Sequence, residues 1–150
     1  MKPHFLKPTL LVVALFCSVS LFAQANSAAA SDPISYIGLT INDLITQFGV
    51  PTSVYSVRGM EDWQDDVVFE YKTIDFYIFR NVVWQVSVKA ALGINVGDPR
   101  AAVLLVMGNK AEDKSSYILQ TVTGMSWTLQ WRFNIKGGKV SSIYLYRMDY

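Results

Sequence analysis

The stretch Gly38-Leu-Thr-Ile-Asn-Asp-Leu-Ile-Thr-Gln-Phe-Gly49 aligns without a gap on Gly97-Asp-Pro-Arg-Ala-Ala-Val-Leu-Leu-Val-Met-Gly108, 59 residues further along the chain. Each copy has two glycines eleven positions apart, with a helix-like apolar pattern between them and strand-like segments after them. An internal period of this kind is typical of one fold unit used twice. We therefore predict an α+β fold with two repeats of a short helix followed by an antiparallel β-meander.

Both predicted helices have recognisable start signals. Thr40 is a good N-cap, and Asp43 three residues later completes a variant of the capping box. In the second copy Asp98 and Pro99 suit an N-cap and a first-turn residue, and Val103, Val106 and Met107 supply the apolar stripe. A glycine that can end the helix follows in both copies.

The segments after the helices show the period-2 alternation of β-strands. The predicted strands cover residues 67–71, 74–79, 82–88, 116–122, 126–136 and 140–147. Arg80-Asn81 and Gly137-Gly138 suit tight hairpin turns. Helices that cover one face of such a meander leave the other face exposed to water. We expect the two sheets to join or pack closely, so that their apolar faces share the helices on one side.

The first 25 residues are predicted to be a secretory signal peptide, with a basic start, an apolar stretch over 9–22 and a small-residue cleavage site that ends at Ala25. Cleavage there would give a periplasmic or secreted protein without a membrane span. Residues 26–33 read as a flexible leader, 34–90 as the first repeat and 91–150 as the second, together forming a single compact domain.

Two other fates of this N-terminal segment are weighed against cleavage. Lipidation would use Cys17, but Phe16 stands where that processing needs a small side chain. An uncleaved anchor would need about 20 apolar residues, and the run is shorter and interrupted by Ser18 and Ser20.

Loss of the signal peptide removes the only cysteine and the only histidine, and it leaves 11 of the 13 basic residues against 12 acidic ones. This balance does not suggest a nucleic-acid partner. Without thiol or imidazole the mature chain has no disulfide, no Ser-His-Asp or Cys-His nucleophile and no conventional zinc site. We expect a protein that is not an enzyme and that uses no cofactor and no metal.

The string Gly-Leu-Thr-x-x-Asp-Leu-x-x-x-Phe-Gly-x-Pro at residues 38–51, followed by strands with Trp and Tyr, resembles the helix-plus-meander unit of the SmpA/OmlA lipoproteins of outer-membrane-protein assembly. Two such units in one secreted chain resemble the tandem arrangement of the β-lactamase inhibitor proteins. The resemblance covers Ile34 to about Tyr146 and implies a non-enzymatic protein that binds other proteins, in the inhibitor group through the concave face of a continuous sheet. The inhibitor proteins have disulfides and the assembly lipoproteins have one lipidated unit, so no site residue is transferred.

The first candidate site is the polar face of the predicted sheet. Tyrosine and arginine are enriched at protein-binding hot spots, although tyrosine and threonine are also common on any solvated sheet face. Ile143 and Leu145 compete with Tyr144 and Tyr146 for the core in the last strand. The residues assigned to this face by the alternation are Tyr77, Phe79, Gln85, Thr128, Gln130, Arg132, Asn134, Tyr144 and Tyr146.

The second candidate is the loop over residues 58–66, which carries Glu61, Asp62, Asp65 and Asp66 around Trp63. It could be a protein-contact loop with the tryptophan as anchor, a calcium site built from carboxylate oxygens, or a solvated connection. We expect a protein partner that contacts the polar face and this loop; the alternative is a small-ligand or calcium carrier of the cell envelope.

Overall fold

The computed structural model describes residues 32–58, 65–123 and 126–150. The predicted signal peptide, most of the leader, and Glu61, Asp62 and Trp63 of the loop lie outside these residues. The first described segment is a single 3-10 turn, Pro33–Tyr36. Within the described residues no helix has the length and apolar character needed to cross a membrane.

Helix α1 (Ile41–Phe48) begins with the predicted capping box. The Thr40 hydroxyl accepts a hydrogen bond from the Asp43 amide at 3.3 Å, and the Asp43 carboxylate accepts one from the Thr40 amide at 2.9 Å. These reciprocal bonds satisfy donors that the first helical turn leaves free. Gly49, with a positive φ of 76°, follows the helix. In the apolar stripe predicted for α1, Leu44 is fully buried and Ile41 and Phe48 pack against the core, but Ile45 is 44% exposed, so its place in the stripe was wrong.

Helix α2 (Arg100–Met107) starts differently from the prediction. Pro99 occupies the N-cap position without a side-chain cap, and the Asp98 carboxylate instead accepts from the Asn95 amide at 2.7 Å. Asp98 is therefore committed to the turn before the helix. Val103 and Met107 are buried as expected, but Val106 is about half exposed, so its place in the predicted stripe was wrong.

The chain forms one large antiparallel sheet of eight strands in the order β1-β2-β3-β4-β10-β9-β8-β7. Strands β4 and β10 join the first four strands to the last four, because Val86 pairs with Leu145 at the centre of the sheet. A two-stranded ribbon, β5 and β6, precedes α2. The strands are β1 Ser53–Val57, β2 Asp66–Glu70, β3 Ile74–Phe79, β4 Val82–Val88, β5 Ala90–Ala91, β6 Ile94–Asn95, β7 Glu112–Asp113, β8 Tyr117–Val122, β9 Leu129–Lys136 and β10 Lys139–Arg147.

Both predicted hairpin turns are present. Arg80 and Asn81 have φ values of 47° and 67°, and Gly137 and Gly138 have 60° and 75°. Two consecutive residues with positive φ give a turn whose twist matches that of antiparallel strands. These turns set the registers of β3 with β4 and of β9 with β10.

The segment before each helix is hydrogen-bonded to the strand that follows a hairpin turn. The segment before α1 is bonded to β4, and the segment before α2 is bonded to β10. The Gly38 amide donates to the Val83 carbonyl at 2.9 Å, and the Val83 amide returns a bond to Leu39. The Gly97 amide donates to the Val140 carbonyl at 2.8 Å, and the Val140 amide returns a bond to Asp98. Both helices are thereby held beside the sheet.

Both helices pack on the same face of the sheet. Phe48 of α1 lies 5.0 Å from Phe76 of β3 between ring centroids, and Val103 of α2 belongs to the same core as Trp131 and Phe133 of β9. Apolar side chains that alternate along the strands fill this layer, as expected for a sheet buried on one side. The fold is therefore α+β, with two α-helices on one face of a large antiparallel sheet. Among the residues that the structure describes, no helix covers the opposite face, which we call the uncovered face.

Candidate functional site

The uncovered face carries two rows of side chains that run across the strands. The pairings of β-strand residues define both rows, because opposed residues point to the same face. The first row contains Tyr55, Val68, Tyr77, Gln85, Tyr146, Gln130 and Thr121, and the second contains Glu70, Asp75, Ser87, Tyr144, Arg132, Leu119 and Glu112.

Six of the nine residues predicted for this face lie in these rows, namely Tyr77, Gln85, Gln130, Arg132, Tyr144 and Tyr146. Ile143 and Leu145 are fully buried, whereas Tyr144 and Tyr146 lie half-buried on the uncovered face. The competition within β10 is thus resolved with both tyrosines outward. Asn134 lies next to Arg132 on the same strand and face. Thr128 precedes β9 and is exposed, so it lies at the margin of the face.

Tyrosines form the centre of the face. The rings of Tyr77 and Tyr144 meet edge to face at 6.2 Å between centroids. The Tyr146 hydroxyl donates to Oε1 of Gln130, an amide that is 7% exposed. Burial raises the pKa of both the Tyr77 and the Tyr146 phenol, and the neighbouring Tyr144 raises that of Tyr77 further. The phenols therefore stay neutral well above physiological pH and act as hydrogen-bonding groups.

Arg132 is held in a defined orientation. Its Nε donates to Oδ1 of Asn134 at 2.8 Å, and its guanidinium lies over the Tyr117 ring at 4.3 Å from the centroid. The Asn134 amide in turn donates to the Ser142 hydroxyl at 2.9 Å. Within the described part of the chain no carboxylate lies within salt-bridge distance of Arg132. The guanidinium is thus positioned with its charge available for a ligand.

A cavity of about 330 Å³ opens on this face beside Arg132. Half of its lining residues are aromatic, and two guanidinium groups and an amide add polar groups. Its lining residues are Trp84, Gln85, Arg132, Tyr144, Tyr146, Arg147, Met148 and Tyr150.

Trp84 reaches this cavity because of a β-bulge that the alternation did not reveal. The register shifts between Tyr77 and Ile78, which pair with Gln85 and Val83, so Trp84 has no opposed residue. A bulge leaves its extra residue unpaired and re-aims a side chain. Trp84 Nε1 donates to Oδ1 of Asp66 at 2.9 Å.

Tyr150 forms one side of the cavity. Its ring stacks on Trp84 at 5.9 Å between centroids and meets Phe79 edge to face at the same distance. Phe79 therefore lies at the edge of the tyrosine-rich face, as part of an aromatic cluster. Neither Trp84 nor Tyr150 was predicted to belong to the site.

The acidic loop is described only at its ends. Asp65 accepts two hydrogen bonds from Arg58, at 3.0 and 3.1 Å, and Asp66 accepts from Trp84. Burial raises the pKa of the Asp66 carboxyl, and the bond from Trp84 opposes that shift. Both carboxylates already have protein partners, and the described residues contain no cluster of metal-ligating side chains. Through Asp66 and Trp84, the end of the loop adjoins the cavity.

Sequence reasoning also missed Glu70 and Asp75, which oppose each other across the β2–β3 hairpin. Only residues 71–73 connect β2 to β3, and this short spacing was the available signal.

No protein-family model matches the chain, and no curated protein matches it. Among solved structures, an extracellular protein containing an SCP domain from Bacillus anthracis str. Ames is similar in fold, with a TM-score of 0.54 and 11% identity over 87% of this chain. A cysteine-rich secretory protein from Staphylococcus aureus subsp. aureus Mu50 gives a TM-score of 0.46 and 15% identity over 77% of this chain. The chain spans about half the length of each, 50% and 46%.

The similarity to the Bacillus anthracis protein corrects the resemblance drawn from the sequence. This solved protein with a similar fold is an extracellular protein that contains an SCP domain, and the finding does not support a SmpA/OmlA or β-lactamase-inhibitor-like fold. The glycine-bounded string at residues 38–51 was therefore a poor guide to family. Its residues cap a helix and shape turns, and such local requirements recur in unrelated folds.

Proposed function

We propose that the protein is a secreted, non-enzymatic module that binds a protein partner through the uncovered face of its sheet. The observation that carries the proposal is the row of half-buried tyrosines beside an arginine that has no carboxylate partner among the described residues. Tyrosines offer large contact area with few rotatable bonds, and arginine offers directional hydrogen bonds. Secretion is supported by the signal-like N-terminus, and the Bacillus anthracis protein of similar fold is itself extracellular.

The proposal of a non-enzymatic role rests on residue types. After removal of the signal peptide the chain has no histidine and no cysteine. Two carboxylates are bonded to residues that line the cavity, Asp66 to Trp84 and Asp149 to Arg147. Neither is opposed to a second carboxyl group in a way that suits paired acid-base chemistry.

We also infer that the chain consists of two related units, residues 34–90 and 91–150. The bonds of Gly38 and Leu39 with Val83 match those of Gly97 and Asp98 with Val140. In each case the partner is a valine that follows a hairpin turn. This equivalence supports a duplicated unit beyond the spacing of the glycines.

Site-specific photo-cross-linking tests the binding face. A photoreactive phenylalanine analogue is placed at Tyr144 on the uncovered face or, as a matched control, at Leu105, which is 85% exposed on the helical side. We expect a discrete cross-linked protein from position 144 alone. Its affinity for the purified module should then fall in the Tyr77→Ala/Arg132→Ala double variant. Equal cross-linking from both positions, or unchanged affinity of the double variant, would contradict the proposal.

The cavity supports a second candidate function, the binding of a small ligand. Its volume of about 330 Å³ lies at the lower end of the range of ligand sites. Native mass spectrometry of the gently purified protein should then reveal a bound small molecule that is lost in Trp84→Ala. Calcium has less support, because Asp65 and Asp66 already accept hydrogen bonds from Arg58 and Trp84.

A further inference from the structure

Glu70 and Asp75 form an unfavourable pair on the uncovered face. They are directly opposed across the β2–β3 hairpin, and like charges in that position destabilise a sheet. Among the residues that the structure describes, no basic group lies within salt-bridge distance of either, and Lys89 acts on Asp75 only at longer range. Burial raises the pKa of Asp75, and Glu70 adds to that shift. Local rules are commonly broken in this way where a ligand binds.

Arg132 carries the opposite charge in the same cross-strand row. Moving from Asp75, the row passes through Ser87 and Tyr144 and reaches Arg132 three strands away. Adjacent strands are about 4.8 Å apart, so the negative and positive positions are separated by about 14 Å. The two side chains between them are uncharged. The third carboxylate of the row, Glu112, lies two strands beyond Arg132 and is paired with Lys114 at 3.8 Å.

We propose that this face binds an extended protein segment laid across the strands, with a basic side chain against Glu70 and Asp75 and an acidic side chain against Arg132. An extended chain advances about 3.3 Å per residue, so the two charges would lie about four residues apart. The side chains between them would meet Tyr144 and the neighbouring Tyr77. This inference rests on the proposed protein-binding role of the face and specifies the chemistry of the partner.

Selection from a phage-displayed library of random twelve-residue peptides tests the charge spacing. The wild-type protein is expected to enrich peptides with a basic and an acidic residue about four positions apart. Arg132→Glu should enrich peptides with basic residues at both positions. Lys136→Gln, on the same strand but outside the row, is the matched control and should select the wild-type pattern.

Affinities of the selected peptides separate the possible outcomes. Neutralising one end, by Asp75→Asn or Arg132→Gln, should weaken binding up to about fivefold, the range of partly exposed ion pairs. The selected peptides could bind the Tyr77→Ala/Tyr146→Ala variant more weakly than wild type and yet show no preferred charge spacing. That result would overturn this inference and leave the binding face intact. Peptides that bind this double variant as well as wild type, or the absence of any enriched peptide, would overturn the binding face and this inference with it.

Discussion

Gly38 lies directly against the indole ring of Trp127, so close that a β-carbon on residue 38 would come within 2.7 Å of the ring. The contact joins the start of the first helix to the segment that leads into β9. Gly38 also has a φ of 96°, which side chains rarely adopt. A glycine is therefore required here for two separable reasons, backbone conformation and close packing.

Gly38→Ala should destabilise the protein more than Gly97→Ala. Gly97 has a similar φ of 101° and a similar amide bond, but a β-carbon there would have no neighbour within 4 Å. The backbone cost should be about 1–3 kcal/mol in both variants. The indole contact should add about 1–3 kcal/mol in Gly38→Ala alone. Urea unfolding measures the difference, and equal losses in the two variants would show that the indole yields freely.

The α1 cap predicts a pH dependence of stability. Hydrogen bonds from Thr40 lower the pKa of Asp43 below its ordinary value of 3.8. The folded state therefore gains stability from this carboxylate above the unfolded pKa and loses it as the pH falls through the folded pKa. Asp43→Asn should be less stable than wild type at pH 7, and the gap should narrow below about pH 4. Thermal unfolding at pH 7 and pH 3 checks this, and a constant gap would argue against the cap.

Asp66 should behave in the opposite way. Burial raises its pKa above 3.8 in the folded state, so the folded protein holds the proton more tightly and loses stability as the pH rises through this window. Asp66→Asn keeps an oxygen for Trp84 Nε1 without the buried charge. It should be at least as stable as wild type at pH 7, and any advantage should vanish near pH 3. A variant that is less stable at pH 7 would mean that the bond from Trp84 depends on the charge.

A structural feature was predicted correctly from the sequence when the residues that determine it are close together in the chain. The cap of α1 and the Arg80-Asn81 turn were predicted correctly because their bonds and dihedral angles involve neighbouring residues. Strand β1 was missed because Val54 and Tyr55 are both largely exposed, so its sequence carries no inside-outside alternation. The side chain of Trp84 could not be placed, since its bulge arises from the register with β3.

The same distinction applies to the candidate site. Alternation along β9 assigned Arg132 to the polar face, because period-2 patterning decides which face a strand residue occupies. Along β10 it left Tyr144 in competition with Ile143 and Leu145 for the core, and the pairing of Tyr144 with Arg132 follows a register shift between Val140 and Ser142. The position of Asp75 in the same row depends instead on pairing across several strands. Composition does not reveal such registers, and the charge pattern of the face became visible only in the fold.

The bond between Tyr146 and Gln130 should contribute to stability independently of any partner. Gln130 is 7% exposed, and its Oε1 accepts from the Tyr146 hydroxyl. Tyr146→Phe leaves that buried acceptor without the bond, which should cost about 1–3 kcal/mol. The Tyr146→Phe/Gln130→Leu double variant removes both polar partners and should recover part of the loss, because no acceptor remains unsatisfied. Urea unfolding of these two variants and of the single variant Gln130→Leu gives the coupling energy. If the losses in the free energy of unfolding are additive, a water molecule replaces the hydroxyl as the donor to Gln130. This part of the face is then hydrated before a partner binds.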